Sequence, residues 1–513
     1  MTIPNYENLH WRETSPGRWE RDIDEAEQFY TTMARVYEGS GRVFFAMTGH
    51  ISLSVPVQKD SSHRETLDRV YGALRRAWLQ LRYDHPTIAS WTEFNSVSQK
   101  CKKVYQEFGS DLTKDVWLDH TVQVVSTGVT GQEWCNQDPP VPKLPTIIMV
   151  IPSVKPSQEN GFFHCDLVLR CHHDVIDGIG TLHLLDNLIK NASGAYDRLS
   201  TPSNLAFGNE SKNLSPPLRV AASIPTTLSS EQQAQFDKLA AYNASLRSGV
   251  EIAALPFTRG AQTPGKHQRV ALTLSRDHTQ KILTACKKMG SSVTHAYHAG
   301  IAIIVRDLQA RSAEERTVRY FNYCLINERS HCNPPYNTPS HAASVYHSVS
   351  GRSLIVDMTV PAIGDKTEAA SESAETSEFK RVASEIKQHY LEICDDTGHI
   401  PKVPHYWAKG TPPYPEPDEY PVPPVPGPNE SPSVSISSMG VIDNIIALTR
   451  GVFQLSDPWV TGEELGTGLG VFLGTFRGRL ALSAAYNDAW HNKEEAVDFL
   501  TQCNEVVCRG LGL

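Results

Sequence analysis

A chain of 513 residues, 40% hydrophobic and 20% charged, is ordinary globular material with room for roughly two to four domains and a sizeable core. Its net charge of -9 argues against a nucleic-acid binder or a polybasic membrane protein, while a local cluster of Arg and Lys would still suffice for a phosphate-bearing ligand. Met1 to Arg21 has no apolar stretch, Ile147 to Ile151 is among the longest apolar runs, and the ten cysteines form no CxxC pair. These features read as a soluble, cytoplasmic protein with reduced thiols and no membrane or nucleic-acid partner.

In chain order, a first helix is expected from about Ile23, with Asp22 near its start and Ala26, Tyr30, Met33 and Tyr37 on one face. A strand follows at Val43 to Val55. Ser62-His63-Arg64-Glu65 is a capping box, in which hydroxyl and carboxylate satisfy orphan N–H groups of the first turn. It opens a helix with Leu67, Val70, Leu74, Trp78 and Leu81 on its stripe, ended by Arg82-Tyr83-Asp84-His85-Pro86. Strands are expected at Thr146 to Val154 and Phe163 to Cys171.

The second of these strands leads into Cys171-His172-His173-Asp174-Val175-Ile176-Asp177-Gly178, an HHxxxDG pattern. Odd positions from Phe163 are apolar while His164, Asp166 and Arg170 fall on even ones, so one face of the strand is buried. Continued by two residues, that period turns His173 inward and His172 toward the polar side. Ile179, Leu182, Leu185, Leu188 and Ile189 then recur at helical spacing, which puts the histidines at a strand-to-helix turn. A buried histidine is more often a hydrogen-bonded core residue than a catalyst. Asp177, just before the new helix, has the bland reading of an N-cap. A third reading makes His172 and Asp174 two arms of an iron triad. That needs a distant strand-borne histidine, whereas His295 and His298 sit in a helical pattern. The whole unit favours catalysis without a metal.

Residues from about Leu199 to Pro264 read as a crossover with a short helix near 233–246. Beyond it come a strand at Arg269 to Leu274, helices near 277–289 and 292–306, and strands at Val318 to Ile326 and Ser344 to Met358. Gly364 to Ser377 reads as a solvated loop. A helix through Phe379, Val382, Ile386, Tyr390 and Ile393 follows, and then a proline-rich, extended segment from Thr411 to Pro432. Late strands near Val434 to Ser438, Val471 to Phe476 and Arg479 to Tyr486 precede a terminal helix. The expected organisation is α/β (α+β), with similar-sized halves at 1–205 and 266–513 joined by a linker at 206–265.

The order of these elements resembles the CoA-dependent acyltransferase superfamily that includes condensation domains and BAHD acyltransferases. The resemblance is carried by Leu81-Arg82-Tyr83-Asp84-His85-Pro86, His172 to Gly178, Val293-Thr294-His295-Ala296, Asn327-Glu328-Arg329, Ser437-Ser438-Met439-Gly440 and Tyr486-Asn487. Within the superfamily the whole chain is most similar to fungal trichothecene 15-O-acetyltransferases. The resemblance implies two chloramphenicol-acetyltransferase-like sandwich halves with an active-site tunnel between them. It implies His173 as general base, a residue type whose pKa normally lies near the working pH. It also implies Asp177 paired with Arg329 to fix the loop, His172 hydrogen-bonding within that loop, and Gly178 allowing a tight turn. Ser437, Ser438, Gly440 and Thr294 would border the substrate or CoA. Acetyl-CoA would be a cosubstrate rather than a bound cofactor, and the enzyme a monomer acting on a hydroxylated trichothecene. The chain departs from BAHD enzymes in lacking a DFGWG motif, and it carries no carrier-protein domain. An amide-forming condensation enzyme and an inactive binding module are the alternatives.

Overall fold

The computed structural model describes residues 6–513 apart from 98–99, 154–160, 197–204, 364–371, 397, 417 and 428–433. The solvated-loop expectation at Gly364 to Ser377 falls mostly outside the described residues; from Glu372 onward the chain is already helical, in the helix Glu372–Asp395. The prolines of the 411–432 segment lie in chain without helix or strand where it is described.

Two large apolar cores, with two smaller clusters beside them among the described residues, organise the molecule. The first is built round a six-stranded sheet of order Thr449–Arg450, Phe453–Gly462, Met47–Pro56, Phe162–Cys171, Thr146–Pro152, Val122–Gly128. All its neighbours are antiparallel except the last pair. The helices His63–Asp84 and Gly178–Tyr196 pack against each other there, burying Val70, Leu74, Trp78 and Leu81 of one and Leu182, Leu185, Leu188 and Ile189 of the other. The second core gathers the sheet His267–Thr273, Arg479–Asn487, Gly470–Phe476, Ser435–Val441 and the strands Arg316–Asn322 and Leu354–Val360. The helices Val293–Asp307, Glu372–Asp395 and Lys493–Leu511 complete it.

The late strand Phe453–Gly462 does not stay with its sequence neighbours. It crosses to pair with Met47–Pro56, from Gln454 opposite Ser54 to Gly462 opposite Met47. The ladder is interrupted between Ser456 and Trp459, where Asp457 has φ 48° and Pro458 has no N–H to give. That proline hid the strand in the sequence.

Local signals hold where they are strong. Ser62 caps its helix with the full box, Glu65 reaching back to the Ser62 N–H at 2.7 Å. The first helix begins at Glu25 rather than Ile23, because Asp24 and Glu27 form the capping box. The first long strand begins at Met47 rather than Val43, since Phe45 turns the chain with φ 52°. The expected strand 344–358 is broken into His347–Val349 and Leu354–Val360.

Gly49, on the central strand, sets how closely the helix Gly178–Tyr196 can lie on the sheet. A Cβ there would collide with Thr181 Cγ2 and sit 3.2 Å from Leu185 Cδ1, both fully packed. Gly49→Ala is expected to destabilise the protein by about 1–3 kcal/mol through overpacking. An unchanged urea midpoint would refute this.

Candidate active site

The strand Phe162–Cys171 ends where the HHxxxDG loop begins, and the helix Gly178–Tyr196 starts on its final residue. His173 is buried and His172 half-buried, the orientation the strand period predicts.

Asp177 unites the two readings the sequence left open. Its Oδ1 accepts the Gly180 N–H at 2.7 Å, capping the helix. Its Oδ2 accepts from Arg329 Nη1 at 2.8 Å and from the Tyr346 N–H at 2.8 Å. Burial alone would raise the Asp177 pKa. The Arg329 guanidinium, His347 and these hydrogen bonds outweigh it and hold the carboxyl below its usual range. Close approach is demanded of Gly180 rather than Gly178. A Cβ on Gly180 would run into the Ala342 carbonyl and come within 2.9 Å of Arg329 Nη2, whereas one on Gly178 would make only ordinary contact with Met439. Gly178 is therefore not the tight-turn residue expected of it.

The other end of the loop is anchored by a residue that the sequence did not reveal. Lys103, fully buried, donates to Asp174 Oδ2 at 3.0 Å and to the Asp174 carbonyl, while Thr92 Oγ1 donates to the same carboxylate at 2.6 Å. Burial opposes the charge on Asp174, yet Lys103 and His172 prevail and its pKa falls to about 2. Asp174 is thus spoken for as an anion in a buried ion pair. His298 is engaged by the Tyr390 and Tyr320 hydroxyls at 3.2 and 3.1 Å, and His295 lies in the first turn of a helix. The His172 carbonyl accepts the Val175 N–H at 3.3 Å, a hydrogen bond within the loop.

His173 lies in an aromatic clamp. The Tyr30 ring stacks on it at 3.8 Å between centroids and 7° between planes, and Phe45 and His347 lean against it at 5.8 and 5.2 Å. Burial keeps the Tyr30 phenol protonated, well above its usual pKa, so its hydroxyl can donate to His347 Nε2, 2.9 Å away. Burial, reinforced by His347, pushes the His173 pKa from 6.5 down to about 3. The resting ring is therefore neutral and far from the near-neutral poise expected from its residue type. Its Nδ1 is buried, with no hydrogen-bond partner from another residue among the described residues.

His173 opens onto a cavity of about 740 Å³ with walls from both cores. This is the size that encloses a drug-sized molecule, and the lining is mostly apolar and aromatic. The expected border residues Thr294, Ser437, Ser438 and Gly440 all lie on it, together with Asp177, Gly178 and Arg329. Thr294 Oγ1 and Ser438 Oγ are 2.9 Å apart, a hydroxyl pair joining a helix N-terminus to a strand. Gly440 has φ 67° where the ladder to Gly470–Phe476 shifts register, a conformation glycine allows. Tyr30, His347 and Trp407 also line the cavity, and sequence reasoning passed over them. Tyr30 on an amphipathic face looks like any core tyrosine, and only its contact with His173 marks it.

Among proteins of known sequence, the chain is 25% identical over 515 residues to an acetyltransferase named pigO from Monascus ruber, covering 98% of this chain and 99% of that one. It is also 25% identical over 438 residues to azaphilone biosynthesis cluster protein M of Aspergillus terreus, covering 82% and 95% respectively. Among solved structures, TRI3 trichothecene 15-O-acetyltransferase from Fusarium sporotrichioides superposes with a TM-score of 0.78 at 15% identity, covering 99% of this chain and 100% of that one. The shared architecture is the two-lobed α/β fold of the chloramphenicol-acetyltransferase type. A family profile described as 15-O-acetyltransferase Tri3 matches residues 40–324. Because that match spans more than half of the chain and contains the histidine loop, the protein belongs to the 15-O-acetyltransferase Tri3 family and is an O-acetyltransferase.

Proposed function

We propose that the protein transfers the acetyl group of acetyl-CoA to a hydroxyl of a trichothecene sesquiterpenoid, at C-15, with His173 as general base. The observation that carries this reading is the seat of His173: neutral, clamped by Tyr30, and opening onto a large apolar cavity. An alcohol oxygen must lose its proton as it attacks, and the lone pair of a neutral imidazole is suited to take it. His173 accepts that proton while the oxygen adds to the thioester carbonyl carbon. Hydroxyl donors at Ser437, Ser438 or Thr294 are available to the resulting oxyanion. The C–S bond then breaks, and the proton on His173 passes to the departing thiolate. No bond to the enzyme forms, so both substrates are present together. The family description and the Fusarium neighbour support the trichothecene reading. The relative from an azaphilone biosynthesis cluster supports a second one, in which the acceptor is an azaphilone-type alcohol.

Thiol release from acetyl-CoA tests this reading, measured with a trichothecene bearing a free C-15 hydroxyl. Acceptor-dependent release and an acetylated product are expected. A well-folded enzyme that leaves this acceptor untouched but acetylates an azaphilone alcohol moves the assignment to the second reading.

The pH profile gives a separate check. A base works only unprotonated, and with a pKa of about 3 His173 is unprotonated through the whole range from pH 8 to 5. Because kcat/KM reports ionisations of the free enzyme, it is expected to show no inflection near 6.5 as the pH falls. An acid limb centred there would mean that His173 is charged in the resting enzyme.

A further inference from the structure

Glu328, the neighbour of Arg329, is fully buried, yet its carboxylate is surrounded by imidazoles. His399 Nε2 lies 3.0 and 3.1 Å from its two oxygens, His331 Nδ1 lies 3.0 Å from Oε2, and Ser348 Oγ donates to Oε1. One ligand atom from each of Glu328, His331 and His399 falls within 4.8 Å of the other two. Local structure explains half of this. Glu328–His331 is a turn of 3-10 helix, in which positions three apart eclipse, so the Glu-x-x-His spacing sets both side chains on one side. His399 arrives from the segment leading to the helix Val403–Gly410.

Hydrogen-bond chemistry adds a second constraint. His399 Nδ1 is 2.8 Å from the Asp396 carbonyl, which only accepts, so Nδ1 carries a hydrogen. Nε2 of the neutral ring is then a lone pair facing carboxylate oxygens, which are also acceptors. Acceptors at 3.0 Å repel unless a positive charge lies between them. A proton held between His399 and Glu328, with His331 donating from Nδ1 to Oε2, relieves that repulsion, and so does one metal cation bound by all three groups. Donor atoms bound at about 2.0–2.1 Å around a tetrahedral centre sit roughly 3.3 Å apart; the two Glu–His spacings here are 3.0 Å, and the two imidazole donors lie within 4.8 Å of each other. The supporting contacts are those of a metal site: a ligand imidazole donates its other N–H to a carbonyl, and a hydroxyl donates to the ligand carboxylate. His331 is exposed, which leaves a route in and an open side for a fourth ligand.

We infer that Glu328, His331 and His399 form a zinc site, separate from the acetyl-transfer chemistry. Two imidazoles, one carboxylate and an open position suit Zn²⁺. The ion would clip two stretches of cavity wall together, since Asn327 and Arg329 flank one ligand and Tyr406 and Trp407 follow another.

The test uses the full chain, stripped with a chelator and re-equilibrated with zinc alone, as wild type, His331→Ala, Glu328→Gln and His173→Ala. Wild type and His173→Ala should each retain one equivalent of zinc after desalting and melt several degrees higher with it. His331→Ala and Glu328→Gln should retain none and show no rise. His331 is exposed, so its variant should fold even if Glu328→Gln does not. Cobalt substitution should give visible absorption without an intense thiolate band, separating this site from the cysteines. Failure of wild type to hold stoichiometric zinc, or equal retention by His331→Ala, overturns the inference. In the first case the cluster is a proton-bridged ion pair.

Discussion

His173→Ala should lower acetyl transfer by about 10²- to 10⁴-fold, the usual contribution of a positioned general base, while leaving the protein folded. The structure gives reasons for both halves of that expectation. Among the described residues Nδ1 has no partner in another residue, so its removal strands no buried donor or acceptor there. What is lost is ring contact with Tyr30, Phe45 and His347, and those neighbours border a cavity that already tolerates open space. Thiol release with and without acceptor reads the rate, and near-UV circular dichroism reads the packing. A variant that keeps more than about a tenth of the wild-type kcat/KM would remove His173 from the base role.

Asp177→Ala should instead damage stability first. Its carboxylate holds Arg329, the Gly180 N–H and the Tyr346 N–H together, and both charged partners are nearly inaccessible to water. Removing one member of a buried ion pair leaves the other charge uncompensated, at a cost of about 3–5 kcal/mol. Activity falls with it, since the loop carrying His173 loses its brace. Asp177→Asn, which can still cap Gly180, should cost less. Arg329→Met in the Asp177→Ala background should recover part of the stability, because the stranded guanidinium is gone. The pH dependence follows from linkage. The folded carboxyl titrates below its unfolded value, so its contribution is fully present above about pH 4 and is lost as the pH falls through the folded pKa. Lost activity with an unchanged urea midpoint would show that Asp177 has no structural role.

The parts of the site that could be read from the sequence were those fixed by short-range rules. The period of the strand before the motif oriented His172 and His173, the Ser62 box started its helix, and Asp177 stood where a cap belongs. The resemblance added the partnership with Arg329, 152 residues away in sequence. What stayed hidden was set by distant chain meeting distant chain. Lys103 sits in a strand whose lysines at 100, 102 and 103 look solvent-facing, and only folding buries the third against Asp174. His347, Tyr30 and Trp407 are separate local patterns until they meet round His173. The depressed pKa of His173 was hidden for the same reason, since it comes from the surroundings and not from the residue type.

The crossing strand Phe453–Gly462 has a consequence for synthesis. Until that strand has been made, Met47–Pro56 has, among the described residues, one strand neighbour, Phe162–Cys171, and its other side is an open row of backbone donors and acceptors beside an incomplete apolar core. A nascent chain therefore carries an exposed sheet edge through most of its translation, the kind of template on which other chains pair. Contacts of such long sequence separation also close late and slowly. A fragment ending before residue 449, although it holds every residue of the HHxxxDG loop, would have no means of sealing that edge.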